Sequence, residues 1–193
     1  MAFALVIVVA SGVTGVSATS GAASAATLPA VRPASLQLPA SLQLTDQRGI
    51  RFSLAGLPAR YVALTFVASR CEDACPVANA LFAKLAARVA GSGRSLELVT
   101  VTLDPNFDTP FVMSQLSRTF SADPELWRFA SGTPTNVHAL MRALGVVARP
   151  DEHGVPDAHS TAVYVLDRQR NVKQTVLLSA QLPDDVLAAM SAP

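Results

Sequence analysis

Ser69-Arg70-Cys71-Glu72-Asp73-Ala74-Cys75-Pro76 carries both cysteines of the chain. Upstream lies an apolar, β-prone run, Tyr61-Val62-Ala63-Leu64-Thr65-Phe66-Val67. Downstream a helix-like run extends from Val77 to Ala90. The two thiols are therefore expected at a strand-to-helix turn. Pro76 has no N–H and a preset φ, which suits the start of that helix. A helix N-terminus presents unpaired N–H groups and a partial positive charge, and both stabilise a thiolate. The thiolate is the form that binds soft metals and attacks disulfides. A spacing of four can bring both sulfurs to one side of a turn, with Cα atoms about 6 Å apart, within disulfide range. The pair can close on itself or grip a soft metal. A purely stabilising disulfide is the weaker reading, because so small a loop removes little unfolded-state entropy.

The flanking elements extend the pattern. The near-continuous apolarity of Tyr61 to Phe66 predicts a strand buried on both faces. Ahead of it, Ser41 to Leu44 and Ile50 to Leu54 alternate around Asp46-Gln47-Arg48-Gly49, a hairpin signature with Gly49 in the turn. After the cysteines, Val77, Leu81, Phe82, Leu85 and Val89 predict one apolar helix face, ended by Gly91-Ser92-Gly93. Leu96 to Leu103 predicts a second strand. It leads into Asp104-Pro105-Asn106-Phe107-Asp108-Thr109-Pro110, where Asp108 or Thr109 can cap a helix that starts at Pro110. That helix carries Phe111, Val112, Leu116 and Phe120. Leu126 to Ala130 reads as a third strand. Thr133-Pro134 opens a helix with Val137, Leu140, Met141 and Leu144 at helical spacing, and Gly145 closes it.

Arg149 to Ala158 reads as a polar loop. Ser160 to Leu166 and Val172 to Leu177 read as antiparallel strands joined by Asp167-Arg168-Gln169-Arg170-Asn171. A last helix starts near Pro183. Strands and helices in this order predict an α/β layer fold around a mixed sheet, with an N-terminal hairpin extension.

The chain has 193 residues, half of them hydrophobic, and a net charge of +1. That suits one domain with appendages. No basic patch interleaves with aromatics, so nucleic acid is not an expected partner. No charged side chain precedes Arg32. Phe3 to Val9 is densely apolar, and small residues follow as far as Ala23-Ser24-Ala25. This resembles an export signal with a cleavage site, although no Lys or Arg precedes the apolar run. Residues 1–26 are expected to be a signal peptide or an N-terminal anchor. Met1 to Ala18 is at the short limit for a membrane tether. Residues 27–40 are expected to be a flexible linker without a core contribution, and 41–193 the folded domain. The body is placed outside the cytoplasm, in the periplasm or on the outer face of the inner membrane. There a close cysteine pair is kept reduced by a partner, oxidised or metallated.

Three histidines are candidates to join the cysteines. His159 stands at the mouth of a predicted strand, where α/β sheets assemble sites. His153 lies in the preceding loop, and His138 in a predicted helix. Spacing alone ranks them in that order. Taken singly, each is better explained as an ordinary hydrogen-bonded side chain.

Four stretches together resemble the Sco (SenC) family of copper-binding, thioredoxin-like proteins. Cys71-Glu72-Asp73-Ala74-Cys75-Pro76 is similar to its Cys-x-x-x-Cys-Pro motif. Leu103 to Pro110 is similar to its Asp-Pro-x-x-Asp-Thr-Pro element. His159-Ser160-Thr161 with Tyr164-Val165-Leu166-Asp167 is similar to its histidine strand, and Leu44 to Gly49 to its opening hairpin. They span roughly residues 41–190. The resemblance implies a thioredoxin-like fold and one copper ion, Cu(I) or Cu(II), held by Cys71, Cys75 and His159.

Two thiolates and an imidazole suit Cu(I) and, with an added weak ligand, Cu(II). Zinc accepts the same donors. Asp104 and Asp108 are candidates to orient or tune the site from behind the ligands. For Asp108 a helix cap would suffice as an explanation. The chain departs from the family pattern at Glu72, where proline is common, at Pro156-Asp157-Ala158, which lacks an aromatic, and at Arg168.

The implied function is a copper metallochaperone, not an enzyme in the strict sense, that assists assembly of the binuclear copper centre of cytochrome c oxidase. Its implied partners are the copper-bearing oxidase subunit or another copper protein, and a thiol-reducing protein. The alternative is a thiol–disulfide reductase working through a redox-active Cys71–Cys75 disulfide, although dedicated redox members use Cys-x-x-Cys. A peroxidase-like or redox-sensing protein on the same fold ranks third.

Overall fold

The computed structural model of the protein describes residues 38–159 and 162–191, and the side chains of 157–159 lie outside that description. The expected export segment and residues 27–37 of the expected linker also lie outside it. Leu38 corrects the rest of the linker reading. It is buried in the main core, so the core contribution begins before residue 41.

β1 (Gln43–Asp46) and β2 (Arg51–Ser53) form the expected opening hairpin. Gly49 turns it with a φ of +80°, a value that costs glycine little because it has no Cβ. A single 3-10 turn, Leu54–Gly56, leads into β3 (Tyr61–Val67). Then come α1 (Ala74–Val89), β4 (Leu96–Thr102), α2 (Pro110–Thr119), β5 (Trp127–Ser131) and α3 (Pro134–Ala143). The chain continues through β6 (Ala148–Pro150), β7 (Pro156–His159), β8 (Ala162–Leu166), β9 (Val172–Leu177) and α4 (Leu182–Ser191).

The main sheet has seven strands in the order β2-β1-β5-β4-β3-β8-β9. β3, β4 and β5 are parallel, and β1, β2, β8 and β9 add antiparallel pairs, as the sequence pattern predicts. The central strands alternate between two cores. Leu64, Phe66, Val99, Val101 and Tyr164 pack into one with α3, while Ala63, Leu98, Val163 and Val165 pack into the other with α1 and α4. Burial on both faces explains the near-continuous apolarity of β3, whereas β4, equally buried, also carries Glu97, Thr100 and Thr102.

Three expectations need correction. α1 begins at Ala74, three residues before the apolar run, so Cys75 lies inside its first turn. Its buried face runs through Cys75, Ala78, Leu81, Phe82, Leu85 and Val89, while Val77 is exposed. In α2 the buried residues are Met113 and Ser117, and Phe111 stands in solvent. The polar loop at 149–158 is mostly a small hairpin, β6 with β7. The carboxylate of Asp151 accepts the amides of His153 and Val155 (both 2.8 Å), and Gly154 has a φ of +72°. This local hydrogen bonding turns the chain without any apolar period. Among the described residues, no helix is long and apolar enough to cross a membrane.

Candidate metal centre

β3 and β4 run parallel with Val67 opposite Thr102. The segments leaving their carboxyl ends therefore emerge side by side. The first carries the cysteines, the second Asp104 and Asp108. β8 runs antiparallel to β3, with Thr65 opposite Val163. Its start thus lies at the same edge, and Thr65 Oγ1 donates to the Ala162 carbonyl there (3.1 Å). His159, the last residue of β7, precedes that start by three positions. Carboxyl edges of parallel strands are where α/β folds assemble sites.

Between β3 and α1 the chain makes a tight turn. The Cys71 N–H donates to the Ala68 carbonyl (3.1 Å), leaving Ser69 and Arg70 as the central residues. The Ala68 N–H donates to Cys75 Sγ (3.3 Å). One residue's backbone thereby ties both cysteines. The thiols are 5% and 2% exposed and not disulfide-bonded. They border a cavity of about 150 Å³ shared with Pro76, Asn79, Leu116 and Phe120. Glu72 and Asp73, between them, face solvent. The arrangement presents two soft donors at a helix start, able to hold a thiophilic metal or to oxidise to a disulfide.

The two aspartates grip the turn. Asp108 is fully buried. It accepts the Ser69 N–H (3.1 Å), the Ser69 hydroxyl and the Thr102 hydroxyl (2.6 Å). The cap of α2 is Thr109, whose hydroxyl accepts the Val112 N–H (3.3 Å), so capping does not account for Asp108. Asp104 pairs with Arg70 Nη2 (2.6 Å), and that guanidinium lies 4.5 Å from the Phe107 ring centroid. Thr102 links the two carboxylates, because its hydroxyl also accepts the Asp104 N–H (2.8 Å). Ser69 and Arg70 are the residues that sequence reasoning missed. Their one signal is adjacency to Cys71, which specifies no partner.

The histidines separate. His138 is exposed on α3. His153 is exposed in the β6–β7 turn, with its ring 3.6 Å from Glu152. His159 is the last residue of β7, in the small β6–β7 sheet and three positions before β8, and its side chain lies outside the described residues. Among the described residues, no group of three or more His, Cys, Asp and Glu side chains is placed to hold a metal ion. The Val155 amide, with the His153 amide and the Arg70 charge behind it, holds the Asp151 carboxyl below its ordinary range.

A family model described as SCO1/SenC matches residues 33–192. No match was found among curated protein sequences. The fold is similar to that of a SCO1/SenC family lipoprotein from Bacillus anthracis str. Ames, with a TM-score of 0.74 and 22% identity over 83% of this chain and 96% of that one. It is also similar to Arabidopsis thaliana ScoI with copper bound, with a TM-score of 0.68 and 21% identity over 78% and 96%. BsSco, a Sco family member with a disulfide switch, aligns with a TM-score of 0.66 and 16% identity over 83% and 98%.

Proposed function

The chain belongs to the SCO1/SenC family, and on that premise we propose that it is a copper metallochaperone with a thioredoxin-like fold. Its cargo is one copper ion, held by Cys71, Cys75 and His159. Its client is the copper-bearing subunit of cytochrome c oxidase, whose binuclear centre it helps to assemble. The observation that carries this reading is the pair of buried, reduced thiols at the carboxyl edge of β3. The position of His159 three residues before β8, whose start lies at that edge, supports it as the third donor.

The residues present suit the cargo. Two sulfurs and an imidazole match the preference of Cu(I) for soft and borderline donors. Both cysteines must lose protons and the histidine must be neutral, so affinity falls in acid. The copper-bound Arabidopsis relative supports the choice of metal. BsSco, a member of the Sco family of cytochrome c oxidase assembly proteins, supports the choice of client. The apolar start of the chain supports export, with residues 1–18 as a tether where the signal is retained. The lipoprotein relative is consistent with a membrane-associated location.

The test is metal binding by the reduced full-length chain beside Cys75→Ser and His159→Ala. One copper per chain, retained against zinc, with thiolate-to-Cu(II) absorption lost or weakened in both variants, is expected. Binding indifferent to His159 would overturn the three-donor reading. It would favour a thiol–disulfide reductase acting on partner cysteines, a second reading supported by the closely placed reduced pair and by the switch of BsSco. Reducing a client's cysteines and loading its copper use the same thiols, and either role needs a thiol-reducing protein as partner.

A further inference from the structure

We propose that Asp108 and Asp104 are positioning residues that act on the two thiols through Ser69 and Arg70. The residues of the turn, 68 to 71, are each held by a hydrogen bond that bears on its shape. Ala68 gives its amide to Cys75 Sγ and receives the amide of Cys71 at its carbonyl. Ser69 is fixed at both N–H and hydroxyl by the buried Asp108. Arg70 is fixed by Asp104 and by the face of Phe107. Both aspartates sit on the loop after β4, and the Leu103 N–H ties that loop to the Val67 carbonyl at the root of the turn (2.7 Å).

The consequence for the thiols is specific. The Ala68 N–H on Cys75 Sγ holds that sulfur in the reduced turn. A buried carboxylate taking three donors is costly to rearrange, so Asp108 keeps the Ala68 amide aimed. Losing the grip of Asp108 frees the turn and weakens the reduced arrangement relative to the disulfide, whose own bond holds the two sulfurs together. The same loss disperses the two sulfurs before they meet a metal, and preorganisation of donors is a large part of site affinity.

The experiment uses the full-length chain with Ser69→Ala, Ser69→Thr and Asp108→Ala. The first readout is metal-free. The Cys71–Cys75 pair is equilibrated with glutathione and its disulfide, two electrons and two protons passing from the dithiol to glutathione disulfide. Ser69→Ala and Asp108→Ala are expected to shift the equilibrium about tenfold toward the protein disulfide, about 30 mV more negative. Ser69→Thr keeps the hydroxyl and is expected to retain the parental value. The second readout is Cu(I) affinity by chelator competition, expected to fall about tenfold in the same two variants.

Parental equilibria in both Ser69→Ala and Asp108→Ala, whatever their melting temperatures, would overturn the proposal and leave a purely structural clamp. The copper arm alone rests on the metallochaperone reading. A parental chain that binds no copper would defeat that reading, while the glutathione equilibrium would still decide this one.

Discussion

Arg170 shows how much a single side chain can hold. It is 4% exposed and sits at a φ of +63° in the β8–β9 turn. Its guanidinium donates to the carbonyls of Leu54 (2.7 Å), Leu57 (2.6 Å), Ala59 (3.1 Å) and Asp167 (3.0 Å). Three of those acceptors belong to the irregular segment before β3, which lacks ladder partners for them. Burial lowers the Arg170 pKa from its usual value, yet a guanidinium stays charged at any ordinary pH. Arg170→Ala takes the side-chain donor from the Leu57 and Ala59 carbonyls, while those of Leu54 and Asp167 keep the main-chain amides of Leu57 and Arg170, and the expected loss is about 3 kcal/mol in urea unfolding. Arg170→Lys recovers part of it, because an ammonium cannot span the fork. A loss below about 0.5 kcal/mol would show that water satisfies the segment equally well. In the sequence, Asp167-Arg168-Gln169-Arg170-Asn171 is an ordinary polar turn, and nothing distinguishes the buried arginine from the exposed one two residues earlier. Ser69 and Arg70 escape notice for the same reason. A polar residue's role is set by a partner tens of positions away, whereas two cysteines four apart specify each other.

Elements were more legible than residues, and their errors have a common cause. The strands at β3 and β8 announce themselves because burial on both faces favours apolar side chains throughout, and β4 does so through its β-branched residues. In α1 the reading included Val77 and passed over Ala78, although at 100° per residue Ala78 is central to the stripe and Val77 about 100° off it. The large side chain counted as core and the small one did not. In α2 the reading chose Phe111 over Ser117, whose buried hydroxyl donates to the Ser114 carbonyl (2.9 Å), and it passed over the fully buried Met113, which size does not explain.

The opening hairpin is legible in the sequence, and its electrostatics add what the pattern does not specify. Asp46, at the end of β1, is fully buried. It takes the amides of Arg48 and Ile50 (both 2.9 Å) and the guanidinium groups of Arg48 (3.0 Å) and Arg128 (3.1 Å). Burial pushes its pKa up. The Ile50 and Arg48 amides and the Arg48 side chain outweigh that, so the carboxyl ends below its ordinary 3.8. A carboxylate with a lowered folded pKa stabilises the fold above its unfolded pKa and loses that contribution as pH falls through the folded value. Asp46→Asn is therefore expected to cost about 3 kcal/mol at neutral pH. In denaturant titrations its deficit against the parent should shrink below pH 3.8. A deficit constant down to pH 2.5 would assign the loss to packing instead.

At the scale of the molecule, the topology does what no single motif can. Parallel pairing of β3 with β4 sets the cysteine turn beside the aspartate loop, and antiparallel pairing starts β8, three positions after His159, at the same edge. The alternation of strands and helices made the neighbourhood of the cysteine and aspartate segments legible in the sequence. The clamp between the two loops was not legible, because it depends on which way Ser69 and Arg70 face. The convergence also couples two chemistries to one pair of atoms. Closing a Cys71–Cys75 disulfide removes two electrons and two protons from the dithiol, and leaves two sulfurs that no longer offer thiolate donors. His159 alone is a poor copper site. The oxidised chain is therefore expected to retain almost no copper after desalting, and full reduction under an inert atmosphere to restore one ion per chain. Metal analysis beside a thiol count on the same sample gives both numbers. One copper on a chain with no titratable thiol would sever the redox state from the cargo and place the metal on donors other than the cysteines. Mutual exclusion would instead make the thiol-reducing partner a condition for loading.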